Sequence, residues 1–519
     1  MRRRLIVETG LLLSFLAMNA EGVEPKYETG VYVLKMSPNG KWMGSRAGDA
    51  SVYNFETGEN IYHSPCFLGL GNAVANNGMA VGEANDIGAL FYKGKTYFPE
   101  SIGGDKYWFC DLNAITPDGK YIAGILNNTK RDGVSYVPFI ATVNESGEVG
   151  DPFILPYPKM DFFGAAPQFV TAVWISDDAK TVVGQVQDWR GMFSYPIYFK
   201  QDEKGEWTYG LPTESQFNPT GIDIPVNPWL SEPPYPEPAD FMNGARKDAY
   251  LADFEAYSTG MGAYPYPQDY MLEEEFAKYA EAVEEYNNWY YGHEQDIKDY
   301  IAIYQEVLKT TQSFGSNDMA LHPSGDYFFM RGGVEDENGD MVSGIYKFST
   351  IDDSIETIKC PQGGFFPHQV LSDGTLLITK GIENVPTTYI LLPDSEEFIT
   401  LQEYFAESYP EISEWLDKKV PGGTGVVLMS EDKKIITGAL VPDQLADFDY
   451  DNSPFFYSTY FINLNDTGSV ESLVSDPENG VYTVYGLNGI KVMETKDATE
   501  LNKLDKGIYI VNGNKIIKK

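Results

Sequence analysis

A short polar turn between two apolar runs constrains this chain more than any other feature, because it recurs along the sequence; Asp111 to Gly124 is the clearest copy. There Ala114-Ile115-Thr116 reads as a strand and Tyr121-Ile122-Ala123 as its return. Pro117 pre-sets φ, the Asp118 side chain can bond its own backbone, and Gly119 is free to take a positive φ, which is the chemistry a tight hairpin needs. The turn occurs seven times, at Pro38-Asn39-Gly40, Asn76-Asn77-Gly78, Pro117-Asp118-Gly119, Asp177-Asp178-Ala179, Pro323-Ser324-Gly325, Ser372-Asp373-Gly374 and Glu431-Asp432-Lys433. A glycine follows four or five residues later in five copies, as Gly44, Gly82, Gly124, Gly184 and Gly438. Glycine inside a strand marks a bulge or a close backbone approach, so its recurrence predicts crowding where the first strands converge.

Behind each hairpin comes a second one with an aromatic or β-branched first strand, such as Val52-Tyr53-Asn54-Phe55, Pro196-Ile197-Tyr198-Phe199 and Tyr460-Phe461-Ile462-Asn463. Four strands per repeat and seven repeats predict an all-β, seven-bladed β-propeller over residues 30–475. A pair of β-sandwiches, or a count of six or eight blades, is the alternative. Successive turns are 38, 41, 60, 146, 49 and 59 residues apart, so the longer gaps carry inserted loops.

The widest gap, 210–316, breaks the β pattern between the fourth and fifth repeats. Leu211 to Pro267 is rich in Pro, Tyr and Asp and is expected to be extended. Leu272, Phe276, Tyr279, Val283, Tyr286 and Tyr290 then fall on one helical face, and Ile297, Ile301, Tyr304 and Leu308 resume the period after Gly292. The spacing predicts a helical hairpin over about 270–291 and 294–311.

Arg2-Arg3-Arg4, a short apolar core from Leu11 to Ala17 and a small residue at Ala20 predict a signal peptide over residues 1–20. That run is too short to span a bilayer and no later one exceeds it, so no transmembrane segment is expected. The formal net charge of -38 argues against nucleic acid and anionic membranes as partners. Of three cysteines, Cys66 and Cys110 fall in neighbouring connections and are the candidate disulfide, leaving Cys360 over.

Two resemblances follow from these residues. Ser37-Pro38-Asn39-Gly40-Lys41 and Thr116-Pro117-Asp118-Gly119-Lys120 resemble the repeat of TolB-type and WD40-like propellers. Residues 479–519, with a glycine turn before Val492, a Leu-x-x-Leu-x-Lys-Gly-Ile-Tyr-Ile run from Leu501 to Ile510 and a basic end, resemble the C-terminal sorting domain of type IX secretion substrates. The second resemblance implies a small β-sandwich module, contact with the secretion machinery, and a secreted or outer-membrane-surface protein of a Gram-negative bacterium.

Catalytic signatures such as Gly-x-Ser-x-Gly, His-Glu-x-x-His, a phosphate loop and Cys-x-x-Cys are absent from the sequence. His322 stands where most copies of the turn carry Ser or Thr, which makes it structural. Asp447, Asp449 and Asp451 alternate in an acidic loop and are the candidate Ca²⁺ ligands, the one cofactor suggested, although the glycine and glutamate of a calcium loop are missing. In a four-stranded repeat, the second-to-third strand connections and the crossings to the next repeat emerge on one face, and here these are the long loops. That face is expected to recognise a glycan or protein ligand through Trp108, Trp189 and Arg190, with burial of these aromatics under the insertion as the structural alternative. The expectation is an exported, non-enzymatic binding protein; the alternative is a propeller hydrolase or lyase acting on glycan or peptide.

Overall fold

The computed structural model describes residues 26–29, 32–45, 50–64, 67–99, 107–128, 134–259, 262–335, 341–358, 360, 365–382, 385–393, 395–441, 458–466, 482–486, 491–496, 501, 503–504, 507–511 and 514–518. The chain is mostly β, and in most of its sheets the antiparallel strands pair in the order in which they occur. Unit 1 is Val33–Met36, Trp42–Ser45, Ala50–Asn54 and Glu59–Ser64; unit 2 is Phe67–Leu68, Ala80–Ala84, Ile87–Tyr92 and Lys95–Tyr97. Units 3 and 4 are the halves of one nine-stranded sheet, joined by a single parallel bridge between Tyr136 and Phe169. Unit 3 is Tyr107–Ile115, Tyr121–Asn128, Tyr136–Thr142 and Phe153–Ile154. Unit 4 is Phe169–Val170 with Trp174–Ile175, then Thr181–Gln187, Ser194–Gln201 and Trp207–Gly210.

Unit 5 is Phe314–Leu321, Tyr327–Glu335, Met341–Ser349 and Ile355–Ile358; unit 6 is Phe365–Val370, Leu376–Ile382, Val385–Leu391 and Phe398–Thr400. Unit 7 takes only three strands from its own stretch, Val426–Met429, Ile435–Leu440 and Ser458–Asn463. Its fourth strand is Lys26–Thr29, paired in register from Lys26 opposite Phe461 to Thr29 opposite Ser458. This strand lies ahead of the 30–475 span expected from the sequence. Neighbouring units touch in cyclic order, and unit 7 returns to unit 1 through its first strand.

The repeated turns work as the sequence implies. Ser37 Oγ donates to Asn39 Oδ1 at 2.7 Å and accepts the Trp42 N–H at 3.0 Å, and Thr116, Ser176 and Ser430 repeat the arrangement. His322 fills the same place, with Nδ1 2.8 Å from Ser324 Oγ and its ring stacked on Tyr327. The recurring glycines mark close approaches: a Cβ on Gly124 would lie 2.0 Å from the Asp111 carbonyl, and one on Gly184 1.9 Å from that of Thr171.

The turns also bond to one another. Asn39 N–H donates to Asn76 Oδ1, Asn76 N–H to the Pro117 carbonyl, Asp177 N–H to the Pro323 carbonyl and Glu431 N–H to the Pro38 carbonyl, at 2.8–2.9 Å. His322 Nε2 donates to the Ser372 carbonyl, and Ser372 N–H to Glu431 Oε2. Proline at the first turn position has a carbonyl but no N–H, so it serves as acceptor for a neighbour that has both. These bonds gather the turns at one end of the ring, and antiparallel pairing sends the long connections to the other.

The insertion holds three helices, α1 (Ala245–Ser258), α2 (Glu273–Gly292) and α3 (Glu294–Thr310). Helix α1 corrects the expectation of an extended segment: fourteen residues without a proline, in a stretch judged by its flanking prolines, are free to coil. Helix α3 buries Ile297, Tyr300, Tyr304 and Val307, a stripe turned slightly from the one expected, while Leu272, Phe276 and Tyr290 of the first predicted face stay exposed. The segment from Tyr404 to Trp415, in the long connection from unit 6 to unit 7, lies in and between two short helices, α4 (Leu401–Ala406) and α5 (Pro410–Lys419). Thr400 caps the first of these, and both pack apolar side chains on units 6 and 7. Near the C-terminus the described residues form one four-stranded sheet, ordered Lys491–Thr495, Tyr482–Gly486, Gly507–Val511 and Asn514–Lys518.

Candidate functional site

Trp189 and Arg190 lie in the connection between the second and third strands of unit 4. The Trp189 ring is 4.7 Å from Trp229 and about 6 Å from Tyr300 and Tyr304, all three from the insertion. The exposed Arg190 guanidinium sits 5.4 Å from the Trp189 ring and 5.6 Å from Tyr304. Beneath this cluster, Asp161 accepts the backbone N–H groups of Phe163, Ala165 and Trp189. Asp188 accepts those of Met192 and Phe193, and also the Tyr304 hydroxyl at 2.5 Å. Burial pushes the Asp161 carboxyl up to about 6 despite its three donors. Trp189 thus lies among the contacts that seat the insertion on unit 4. Trp108 is half-buried at the start of unit 3, opposite Asn127, and outside that cluster. Asp447, Asp449 and Asp451 lie outside the described residues. Cys66 does as well, whereas Cys110 is a free, half-buried thiol rather than a disulfide partner, pushed up to about 12 by burial and by Asp111.

A different set of residues converges on the axis of the ring. A cavity of about 410 Å³ opens on the long-loop face, walled by Tyr32, Trp174 and Phe366 with Lys35, Asp318 and His368 among them. It narrows to about 70 Å³ toward the turns, where Asn72, Asp177 and Glu431 join the lining. Lys35 Nζ donates to the carbonyls of Leu70 and Gly71 at 2.6 and 2.8 Å, tying unit 1 to unit 2. His368 is 2.7 Å from the Val427 carbonyl through Nε2; a carbonyl only accepts, so Nε2 carries the proton and Nδ1 accepts from Thr379 Oγ1 at 3.2 Å. Burial pushes this imidazole down to about 4. Asp318 takes Arg331 at 3.4 Å, and burial raises its carboxyl.

Two polar atoms of this lining are buried without a partner in the protein, the Trp174 indole N–H and Asn72 Oδ1. A buried donor and acceptor left unpaired each cost about 1–3 kcal/mol, a cost that a ligand removes only if its entry opens the wall to them. Both histidine nitrogens are engaged and the lysine ammonium donates to two carbonyls, so the channel offers hydrogen-bonding groups and aromatic faces beside the carboxyls of Asp318, Asp177 and Glu431. Among the described residues no three His, Cys, Asp or Glu side chains are grouped to hold a metal.

Lys35, Asn72, Trp174 and His368 are not among the residues expected from the sequence. Their shared signal was available: each stands three or four residues before the first residue of a turn, at Pro38, Asn76, Asp177 and Ser372.

No family model matches this chain, and no curated protein does. Solved structures to which it is similar include a putative TolB from Agrobacterium tumefaciens, at 10% identity over 69% of this chain and 89% of that one, TM-score 0.32. The β-propeller domain of the Trilobed protease from Pyrococcus furiosus is similar at 9% identity over 79% and 78%, TM-score 0.29. The GH74 xyloglucanase from Xanthomonas campestris is similar at 11% identity over 84% of this chain and 55% of that one, TM-score 0.32. Among the described residues no helix is long and apolar enough to cross a membrane.

Proposed function

We propose that the chain is a seven-bladed β-propeller, units 1 to 7 being its blades, that acts after export as a binding protein. Its ligand, glycan or protein, enters the axial channel from the long-loop face. The observation that carries this reading is an aromatic-walled cavity that opens to solvent and has the unpartnered Trp174 indole N–H and Asn72 Oδ1 buried in its wall. An extended protein segment suits it best, because a peptide backbone presents a carbonyl for the first and an N–H for the second. Arg190 and Trp108 belong to the same face by connectivity, while Trp189 supports that face through the insertion. Residues 1–20 serve as a signal peptide and the C-terminal sheet as a type IX sorting module, which puts the mature protein at the outer surface of a Gram-negative cell. Asp447, Asp449 and Asp451 remain the candidate Ca²⁺ ligands.

The test selects peptides from a random display library on the purified chain lacking residues 1–20, then compares their affinities by calorimetry. Trp174→Phe keeps an aromatic six-membered ring but loses the indole N–H with the rest of the pyrrole ring, so selected peptides are expected to bind about tenfold more weakly. Failure to select any peptide, or selected peptides that bind both forms equally, overturns the channel as the site. Hydrolysis of peptide or polysaccharide by the same preparation would favour the enzyme reading.

A further inference from the structure

The ring of turns is broken at one place. Six neighbouring pairs are hydrogen-bonded, but between the turn at Pro117 and the turn at Asp177 there is no hydrogen bond among the described residues. Units 3 and 4 are bridged at the opposite end, through Tyr136 and Phe169, so they part toward the turns. The opening is a cleft of about 410 Å³, within the size range of small-molecule sites.

Three aromatic side chains line this cleft, contributed by both units: Tyr121, Phe153 and Trp207. Tyr121 is 38% and Phe153 52% exposed, although neighbouring units elsewhere bury such rings against each other, as Tyr62 on Phe91. Their polar neighbours are of mixed sign. Asp151 and Lys180 form no ion pair among the described residues, and Gln201 donates to the Gly205 carbonyl, which leaves its own oxygen free to accept. Aromatic faces flanked by a few unpaired hydrogen-bonding groups match a pyranose ring, whose C–H face packs on an aromatic ring while its hydroxyls both donate and accept. An anionic polymer is disfavoured by the chain's net charge of -38 and by Asp151 and Asp178 in the cleft.

We infer that the cleft between units 3 and 4, on the face opposite the channel mouth, is a binding site for a neutral saccharide. Tyr121, Phe153 and Trp207 act as its stacking surfaces, and Asp151, Lys180 and Gln201 as its hydroxyl partners. The site stands apart from the proposed channel and holds or fails independently of it.

Cellohexaose and mannohexaose, neutral and of different ring stereochemistry, are the probes, titrated into the full chain by calorimetry. At least one is expected to bind saturably, and both Phe153→Ala and Trp207→Ala are expected to weaken it about tenfold or more at unchanged melting temperature. If Trp207→Ala fails to fold, Phe153→Ala at the more exposed ring carries the test. Affinity weakened by Trp174→Phe but not by Phe153→Ala would put the saccharide in the channel and overturns the inference. The inference is overturned if neither hexaose binds at about 10 mM, well above the Kd of a functional site, or if binding survives Phe153→Ala.

Discussion

The backbone N–H of Glu431 donates to the carbonyl of Pro38 at 2.8 Å, joining the last turn of the chain to the first. The same two units are linked again at the periphery, where Lys26–Thr29 completes the sheet that holds Ser458–Asn463. The ring is therefore closed by non-covalent pairing at two radii. Removing residues 1–31 strips the outer strand and leaves the edge of Ser458–Asn463 unpaired, which is expected to lower the melting temperature and promote association. Thermal unfolding together with light scattering checks this; an unchanged, monomeric variant would show that the strand is dispensable.

The recurring glycines make a paired prediction. Gly184→Ala forces a methyl to within 1.9 Å of the Thr171 carbonyl, and displacing that backbone should cost about 1–3 kcal/mol. Gly292→Ala, at the end of α2 with nothing within 4 Å, should be neutral or stabilising by up to about 1 kcal/mol. Denaturant midpoints of the two variants give the comparison, and equal effects would remove the crowding explanation.

Tyr304→Phe deletes the hydroxyl that Asp188 accepts under the insertion, and a bond to a charged group is worth about 1.5–3 kcal/mol. Faster amide exchange in Glu294–Thr310, with the units unaffected, is the expected signature. Exchange rising uniformly through the whole chain would instead make the contact part of the global core.

His368 gives the channel a pH dependence. Its folded value, about 4, lies below the ordinary 6.5, so its contribution to stability is present above about 6.5 and is lost as pH falls toward 4. In His368→Gln that component disappears, and between pH 6.5 and 4 the variant should lose less stability than the parent. Parallel stability curves over that range would count against a neutral imidazole at this position.

Asp177 runs the other way. Burial and the Glu431 carboxylate push it up to about 6 from an ordinary 3.8, so the ionised form costs stability above about pH 6 and nothing below the unfolded value. Asp177→Asn is expected to raise the melting temperature at pH 8 and to match the parent below pH 4. A variant that is less stable at pH 8 would mean that the carboxylate makes an attractive contact outweighing the repulsion.

The hairpins were legible in the sequence because everything that specifies them is local. Ser37 to Trp42 carries a hydroxyl, an amide side chain and a glycine within six residues, and the bonds that shape the turn close inside that window. Helices α2 and α3 were legible for the same reason, their apolar spacing being short-range, although which face of α3 packs inward depends on the unit beneath. The strand Lys26–Thr29 was not, since four residues of ordinary composition become a strand only when Ser458–Asn463 offers an open edge. Nor was the channel: Trp174 and Asn72 are unremarkable in their own segments, and Trp174 N–H becomes an orphan donor only because neighbouring units exclude water without supplying an acceptor. For Trp189 the sequence left open an exposed binding residue or one under the insertion, and only the fold brings Trp229, Tyr300 and Tyr304 around it. Local bonding is written residue by residue, whereas solvent exclusion belongs to the assembled ring, and for this protein the first determined the repeat and the second decided where a ligand has something to bind.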